Sequence, residues 1–294
     1  MASDITLSSA TRNNLLSLQN TTDLISRTQE RLSSGKKVNS AIDDALSFFT
    51  SRNLNDRASD LTSIKSNIDN GIQVLSTTTD ALTSIEDILK QMKAVASSAK
   101  STSAADSTTR NKLSSQFNEL RSQVDHLVND ASYNGVNLIK SGADTLTVKF
   151  SEQNNVTPKR QLSIAGENTT ASALGVKTAT INATAASGSA GAGWGISDGT
   201  HAARLDSVIN EIDSALTTVR TTAQTFGTNA SLLQIRQEFT ANLVKTLETG
   251  ASNLVNADLN EESANMLSLQ TRQSLGSIAL SIAQQSEQSI LRLF

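Results

Sequence analysis

Residues 61–99 read LTSIKSNIDNGIQVLSTTTDALTSIEDILKQMKAVASSA. The apolar positions Leu61, Ile64, Ile68, Leu75, Leu82, Ile85, Leu89, Met92, Ala96 and Ala99 recur in alternating steps of three and four. Only Gly71 and Thr78 interrupt the stripe. That spacing places every large side chain on one narrow seam of a helix, the pattern of coiled-coil packing. At 1.5 Å rise per residue the seam runs roughly 58 Å, longer than most globular domains are wide. A seam of that length needs a partner of similar length.

Candidate partners lie further along the chain. A second helix follows a polar stretch at 101–109 and shows Leu113, Phe117, Leu120, Val124, Leu127 and Ala131 on one face. A third begins near Ala203 with Leu205, Val208, Ile212, Ala215, Val219 and Phe226. Beyond Gly227 the apolar residues become Leu232, Ile235, Phe239 and Leu243, which reads as a stutter in the repeat. The two ends repeat the theme more weakly. Leu15, Leu18, Ile25 and Leu32 mark one face near the start, and Leu275, Ile278, Ile282, Ile290 and Leu293 one near the end. Both are rich in Ser, Thr, Gln and Asn, so each alone buries too little apolar surface to offset the entropy of ordering.

The middle differs. Alternation at Leu146, Val148 and Phe150 predicts a strand, with Leu162 and Ile164 as its short partner. From about Glu167 to Thr200 the chain is mostly Ala, Gly, Ser and Thr around a lone Trp194, which predicts an exposed loop or small β-rich knob. The expected fold is mainly α: a long antiparallel helical bundle or coiled coil formed by the N- and C-terminal halves, with a small β-rich central region.

Composition agrees with a thin, extended helical protein. Of 294 residues only 3% are aromatic, one is proline (Pro158) and none is cysteine. Few large rings mean no single deep core. A near absence of proline permits very long helices, and without cysteine there is neither disulfide nor thiol chemistry. The net charge of −3 gives no broad pull toward nucleic acid or an anionic membrane. No apolar run approaches a membrane span. The opening MASDITLSSATRNN has no apolar segment of a secretory leader, so the expectation is export without a cleaved signal peptide.

Several short motifs resemble a known family. Glu30-Arg31-Leu32-Ser33-Ser34-Gly35, then Val38-Asn39-Ser40-Ala41 and Asp43-Asp44-Ala45, are similar to the N-terminal motif of bacterial flagellins. Asn70-Gly71-Ile72 and Tyr133-Asn134-Gly135-Val136 resemble further flagellin landmarks, as do Ala257-Asp258 and Glu261-Glu262 near the other end. The resemblance covers roughly residues 1–150 and 203–294. Ile42 and Lys36-Lys37 depart from the usual pattern, where a polar residue and a single basic residue are common.

The resemblance implies a filament subunit with three regions: 1–44 with 256–294 as filament-core helices, 45–150 with 203–255 as the long-helix bundle, and 151–202 as a short variable exposed region. It implies that the end stripes named above pack in the filament core, and that Leu61, Ile64, Ile68, Leu75, Leu82, Ile85, Leu89, Leu205, Val208, Ile212, Val219 and Phe226 form the bundle seam. Implied partners are further copies of the chain, together with an export chaperone, cap and junction proteins. The implied location is the extracellular flagellar filament.

Two rivals are a hook–filament junction protein and a flagellin-like carrier of a small enzymatic middle. Junction proteins usually carry prolines around the Asp-Asp pair, where this chain has Ala41, Ile42 and Ala45. Residues 151–202 are few for a catalytic domain and hold no nucleophile or metal constellation. His126 and His201 lack metal-ligand spacing. Asp43 and Asp44, being adjacent, point different ways and suit capping better than paired-acid chemistry. The glycines of 188–195 lack the strand and Gly-Lys-Ser/Thr of a phosphate loop. The expectation is no enzyme, cofactor or metal. Finally, in flagellins that a vertebrate receptor detects, a patch on the first long helix carries arginine, a second base, acid and leucine, joined by a glutamate of the next helix. The matching positions here are Gln91, Lys93, Ala94, Val95 and Gln116.

Overall fold

The computed structural model describes residues 9–103, 105–152, 160–180, 193–195 and 201–291. The elements run α1 (Ser9–Ser34), α2 (Ala45–Ser101), α3 (Ser107–Asp130), β1 (Thr145–Lys149), β2 (Gln161–Ala165), α4 (His201–Val255) and α5 (Leu259–Leu291). Two compact units result: residues 1–59 with 244–294, and residues 60–243.

The core of the 60–243 unit is the seam expected from the heptads. Its apolar positions on α2, from Leu61 through Ala99, are all buried, and so are Leu205, Val208, Ile212, Ala215, Val219 and Phe226 on α4. The two interruptions lie on the same seam. Thr78 is buried with its hydroxyl donating to the Val74 carbonyl at 2.8 Å. Polar pairs along the seam's edges show the direction. Lys100 meets Asp206 at 2.5 Å, Lys93 meets Asp213 at 2.6 Å and Arg220 meets Glu86 at 2.9 Å. Gln237 donates to Asp69. Each step toward the start of α2 is matched by an equal step toward the end of α4, so the helices run antiparallel in one unbroken register.

That register removes the expected stutter at Gly227. Past Phe226 the buried positions on α4 are Leu233, Thr240 and Leu247, each seven residues on, and then Ala251 four further. Leu232, Ile235 and Phe239 point outward instead. The apolar residues beyond Gly227 are thus a second stripe beside an undisturbed first one. The face of α3 also differs from expectation. Arg110, Ser114, Phe117, Val124 and Val128 are buried on it, while Leu113, Leu120 and Leu127 are only half covered.

β1 and β2 pair antiparallel with Leu146 opposite Ile164 and Val148 opposite Leu162. Val148 and Ile164 are buried. The hairpin presses on α2 at Gly71, where an added Cβ would lie 2.7 Å from Val148 Cγ2 and 3.3 Å from Leu233 Cδ1. An added Cβ at Gly227 would meet nothing within 4 Å. The same substitution should therefore act with opposite signs. Gly227→Ala should stabilise the 60–243 unit by about 0.5–1 kcal/mol through helix propensity. Gly71→Ala should lose that gain to overpacking and destabilise by about 1 kcal/mol. Urea unfolding checks both, and a midpoint raised by each variant would mean that the hairpin leaves room at Gly71.

Within the described part of the segment after Glu167, residues 167–180 and 193–195, the expectation of an exposed loop fails at six positions. Thr169, Ala171, Leu174, Val176, Ala179 and Trp194 are buried. Residues 168–180 lie along α3, whose side chains hold their backbone. The Asp125 carboxylate accepts from the Ala171 amide at 2.8 Å. Arg121 Nε donates to the Val176 carbonyl at 3.0 Å. Asn118 bonds both the amide and the carbonyl of Ala179 at 2.8 Å. Arg110, fully buried, donates from Nε to the Trp194 carbonyl at 2.8 Å and from Nη1 to the Ser103 carbonyl. The Trp194 ring sits 5.0 Å from that of Phe117. The physical reason is that α3 presents a row of polar side chains able to satisfy an irregular backbone, which can then be buried.

Candidate assembly surfaces

In the unit of 1–59 with 244–294, α1 and α5 pack along each other. Their contact face is unusually polar. Thr11 and Thr28 of α1 and Glu262 of α5 are buried, and among the described residues no apolar side chain of either helix is. Arg31 Nη1 meets Glu262 Oε1 at 2.9 Å. At Gly276 an added Cβ would lie 3.2 Å from Leu18 Cγ, so glycine lets the helices approach there.

The end-stripe residues divide. Leu18, Ile25 and Leu32 are half-buried, whereas Leu15, Leu275, Ile278 and Ile282 are exposed, with Leu16, Leu24 and Leu267. Leu293 and the side chain of Ile290 lie outside the described residues. The exposed set is too regular to be scattered surface. Ile278 and Ile282 stand one turn apart on α5, with Leu275 a turn before them.

The segment between α1 and α2 is built by its polar residues. Gly35 ends α1 at φ +70, a left-handed conformation that suits glycine, and its amide donates to the Arg31 carbonyl at 2.8 Å. The strand-like stretch after it bridges to the end of α4, with Lys37 N to Val255 O at 2.8 Å and Ala257 N to Gly35 O at 2.9 Å. Asp43 accepts from the amides of Asn39 and Ser40 at 3.1 and 2.9 Å. Asp44 caps α2 by accepting from the Ser47 amide at 3.1 Å. Asp44 thus caps α2, and Asp43 closes the turn before it. The Ser40 backbone bond holds the Asp43 carboxyl below its usual range, and the Ser47 hydroxyl does the same for Asp44. Asp258 repeats the device at α5, accepting from Asn260 N at 2.8 Å.

Sequence reasoning missed two features here. The Arg31–Glu262 pair joins two motifs that were noted separately, and nothing in the sequence says they meet. The other is an apolar ridge of Ile42, Leu46 and Phe49, with Ile42 96% exposed. Its signal was visible: Ile42 departs from the expected polar residue, and the other two follow at helical spacing.

The receptor-patch positions are not equivalent. Gln91, Ala94 and Gln116 are exposed. Val95 is 9% exposed and belongs to the core. Lys93 is committed to Asp213. His126 is exposed on α3, and His201 is the first residue of α4. Of the glycine-rich stretch 188–195, only 193–195 are described. No group of His, Cys, Asp or Glu that could hold a metal ion occurs among the described residues. No helix there is long and apolar enough to cross a membrane.

Long helices with buried seams that leave ordered apolar stripes uncovered define a structural subunit made to associate with other chains. Comparison with known proteins names the kind. The N-terminal helical region of bacterial flagellin matches residues 5–145, and the C-terminal helical region matches residues 209–294. Flagellin FljM of Caulobacter vibrioides is 33% identical over 95% of both chains. Flagellin FljO of the same organism is 32% identical over the same shares. A solved structure described as a flagellar hook-associated protein of Vibrio parahaemolyticus superposes with TM-score 0.57 at 16% identity, covering 73% of this chain and 100% of that one, and shows the fold alone. The chain belongs to the bacterial flagellin family, structural subunits that assemble with their own copies into the extracellular filament of the flagellum.

Proposed function

We propose that α1 and α5 form the filament's inner shell and are completed only by the same helices of neighbouring copies. The observation that carries this is the α1–α5 pair itself. It buries no apolar side chain among its described residues, yet exposes leucines and isoleucines in ordered rows. Water leaves such rows only when another chain covers them. The end stripes Leu15, Leu18, Ile25, Leu32, Leu275, Ile278, Ile282, Ile290 and Leu293 are the residues assigned to that packing. The long-helix bundle contributes the remaining wall of the filament. The chain reaches the filament as an exported subunit, meets an export chaperone, cap and junction proteins, and carries no catalytic centre.

Purified chain, seeded with filament fragments in a salting-out anion, should grow into long filaments visible by negative stain, since such anions strengthen apolar burial. A chain that sediments as monomer at every salt and protein concentration would overturn the reading.

The receptor patch carries a second expected result. Arginine makes bidentate, charge-assisted bonds that Gln91 cannot copy. Contacts of that kind at an interface centre are worth about 2 kcal/mol or more each. Loss of the arginine and of both acids should leave the monomer a weak activator in a receptor reporter assay. A Gln91→Arg, Ala94→Glu, Gln116→Glu variant should gain potency; Val95 is left alone because it is core. Full potency of the unmodified monomer, or no gain in the variant, would sink the idea.

A further inference from the structure

Two apolar stripes remain that neither core nor inner shell uses. One is Ile42, Leu46 and Phe49 before and at the start of α2; the other is Leu232, Ile235 and Phe239 on α4. All six side chains are exposed, and each stripe holds one phenylalanine and two aliphatic residues. We infer that the first stripe of one copy docks on the second stripe of another copy, as a repeating head-to-tail contact of the assembled polymer. The inference rests on the filament reading above and names the surface that reading leaves open.

Three observations favour a second copy as the occupant. The first is direction. Within the 60–243 unit α2 and α4 run antiparallel, as their polar pairs show. α2 is a single helix from Ala45 to Ser101, and the inference takes the long helices to lie along the polymer axis, so that copies of one polarity set α2 of one beside α4 of the next in the same antiparallel sense. The second is spacing. The first stripe steps by four and then three residues from Ile42; the second, followed backwards from Phe239, also steps by four and then three. On the helices themselves, Leu46 and Phe49 of α2 are three residues apart, as are Ile235 and Leu232 of α4, so antiparallel packing can set Leu46 against Ile235 and Phe49 against Leu232, with Ile42 in the turn before α2 at the end of the contact beside Phe239.

The third is size. Each exposed side chain offers on the order of 100 Å², so the two stripes together bury about 600 Å². A freestanding complex needs about 1,200–2,000 Å². This contact is too small to hold a dimer or a separate partner in solution, and large enough to matter when repeated along a lattice. The two stripes also differ from each other. A contact between unlike surfaces is what generates an open helical polymer, whereas a self-complementary patch closes a dimer.

The absence of cysteine makes a direct test available. Filaments are grown from the Leu46→Cys, Ile235→Cys double variant, oxidised, and run on a denaturing non-reducing gel. The expected result is a ladder of covalent multimers. Either single variant alone should stay monomeric on the gel. A co-assembled mixture of the two single variants should give dimer and nothing larger. The pair Phe49→Cys with Leu232→Cys, in the same register, serves if the first pair disturbs assembly. Dimer from a single variant would show like stripes pairing and overturn the proposal, as would a fast-migrating internally linked monomer. So would the lack of any product in filaments confirmed by microscopy, an outcome that leaves the filament reading standing. Unmodified chain that forms no filaments at all would fail that reading instead.

Discussion

Replacing Trp194 by alanine should lower the stability of the 60–243 unit by about 3–5 kcal/mol, the usual cost of emptying a buried aromatic site. Trp194 is 1% exposed and packs at 5.0 Å from Phe117. Its carbonyl also receives the Nε of Arg110, a fully buried guanidinium. Loosening the tryptophan backbone would leave that charge short of an acceptor, adding a desolvation cost to the cavity cost. Trp194→Phe should recover part of the loss, since a smaller ring still covers Phe117. Urea unfolding followed by circular dichroism gives the comparison. A loss below about 1 kcal/mol would mean that the segment around Trp194 merely rests on α3. Deletion of 170–180 should be comparably harmful, whereas the exposed loop expected there would tolerate it.

Why that stretch misled is instructive. The α2 seam was legible because large apolar residues at strict spacing leave one way to bury them. The antiparallel arrangement followed from two such seams of similar length. Residues 169–180 are buried through small or isolated side chains, Thr169, Ala171, Leu174, Val176 and Ala179, with no period to detect. What holds them is written on α3, in Asp125, Arg121, Asn118 and Arg110, and those residues look like an ordinary solvated face until a backbone lies across them. The better clue was the lone Trp194, because a large ring seldom stands free in water. On α4 the error was of a different kind. Two stripes coexist there, and the eye followed the more hydrophobic one, Leu232, Ile235 and Phe239. The stripe that is buried continues through Thr240, a residue that carries little hydrophobic signal. The assembly surfaces were legible as places but not as contacts, since a stripe does not say whether its partner is on the same chain.

Removing the residues after Ala264 should abolish filament growth while leaving the 60–243 unit with an unchanged unfolding transition. The truncation takes away Leu267, Leu275, Ile278 and Ile282, all exposed in the single chain. Each would contribute about 1.5–3 kcal/mol when covered by a neighbour. With tenfold in an equilibrium constant for every 1.4 kcal/mol, four such losses place the critical concentration far beyond any reachable in solution. The 60–243 unit contains none of the removed residues, so its cooperative melt should stay where it was. Sedimentation measures the first effect and calorimetry the second. Normal polymerisation of the truncated chain would remove α5 from the assembly surface.

The pairs along the α2–α4 edge bear on how the chain finds its fold. A heptad seam looks nearly the same after sliding by seven residues, so apolar packing alone would tolerate several alignments of these two helices. Charges remove that ambiguity. Slide α4 one repeat in one direction and Lys93 comes opposite Arg220; slide it the other way and Glu86 comes opposite Asp213. In either case attraction is traded for repulsion between like charges. Only the observed alignment satisfies Lys100, Lys93 and Glu86 together. The row of side chains works as a key with unequal teeth, letting a chain that starts extended settle into a single alignment without a template.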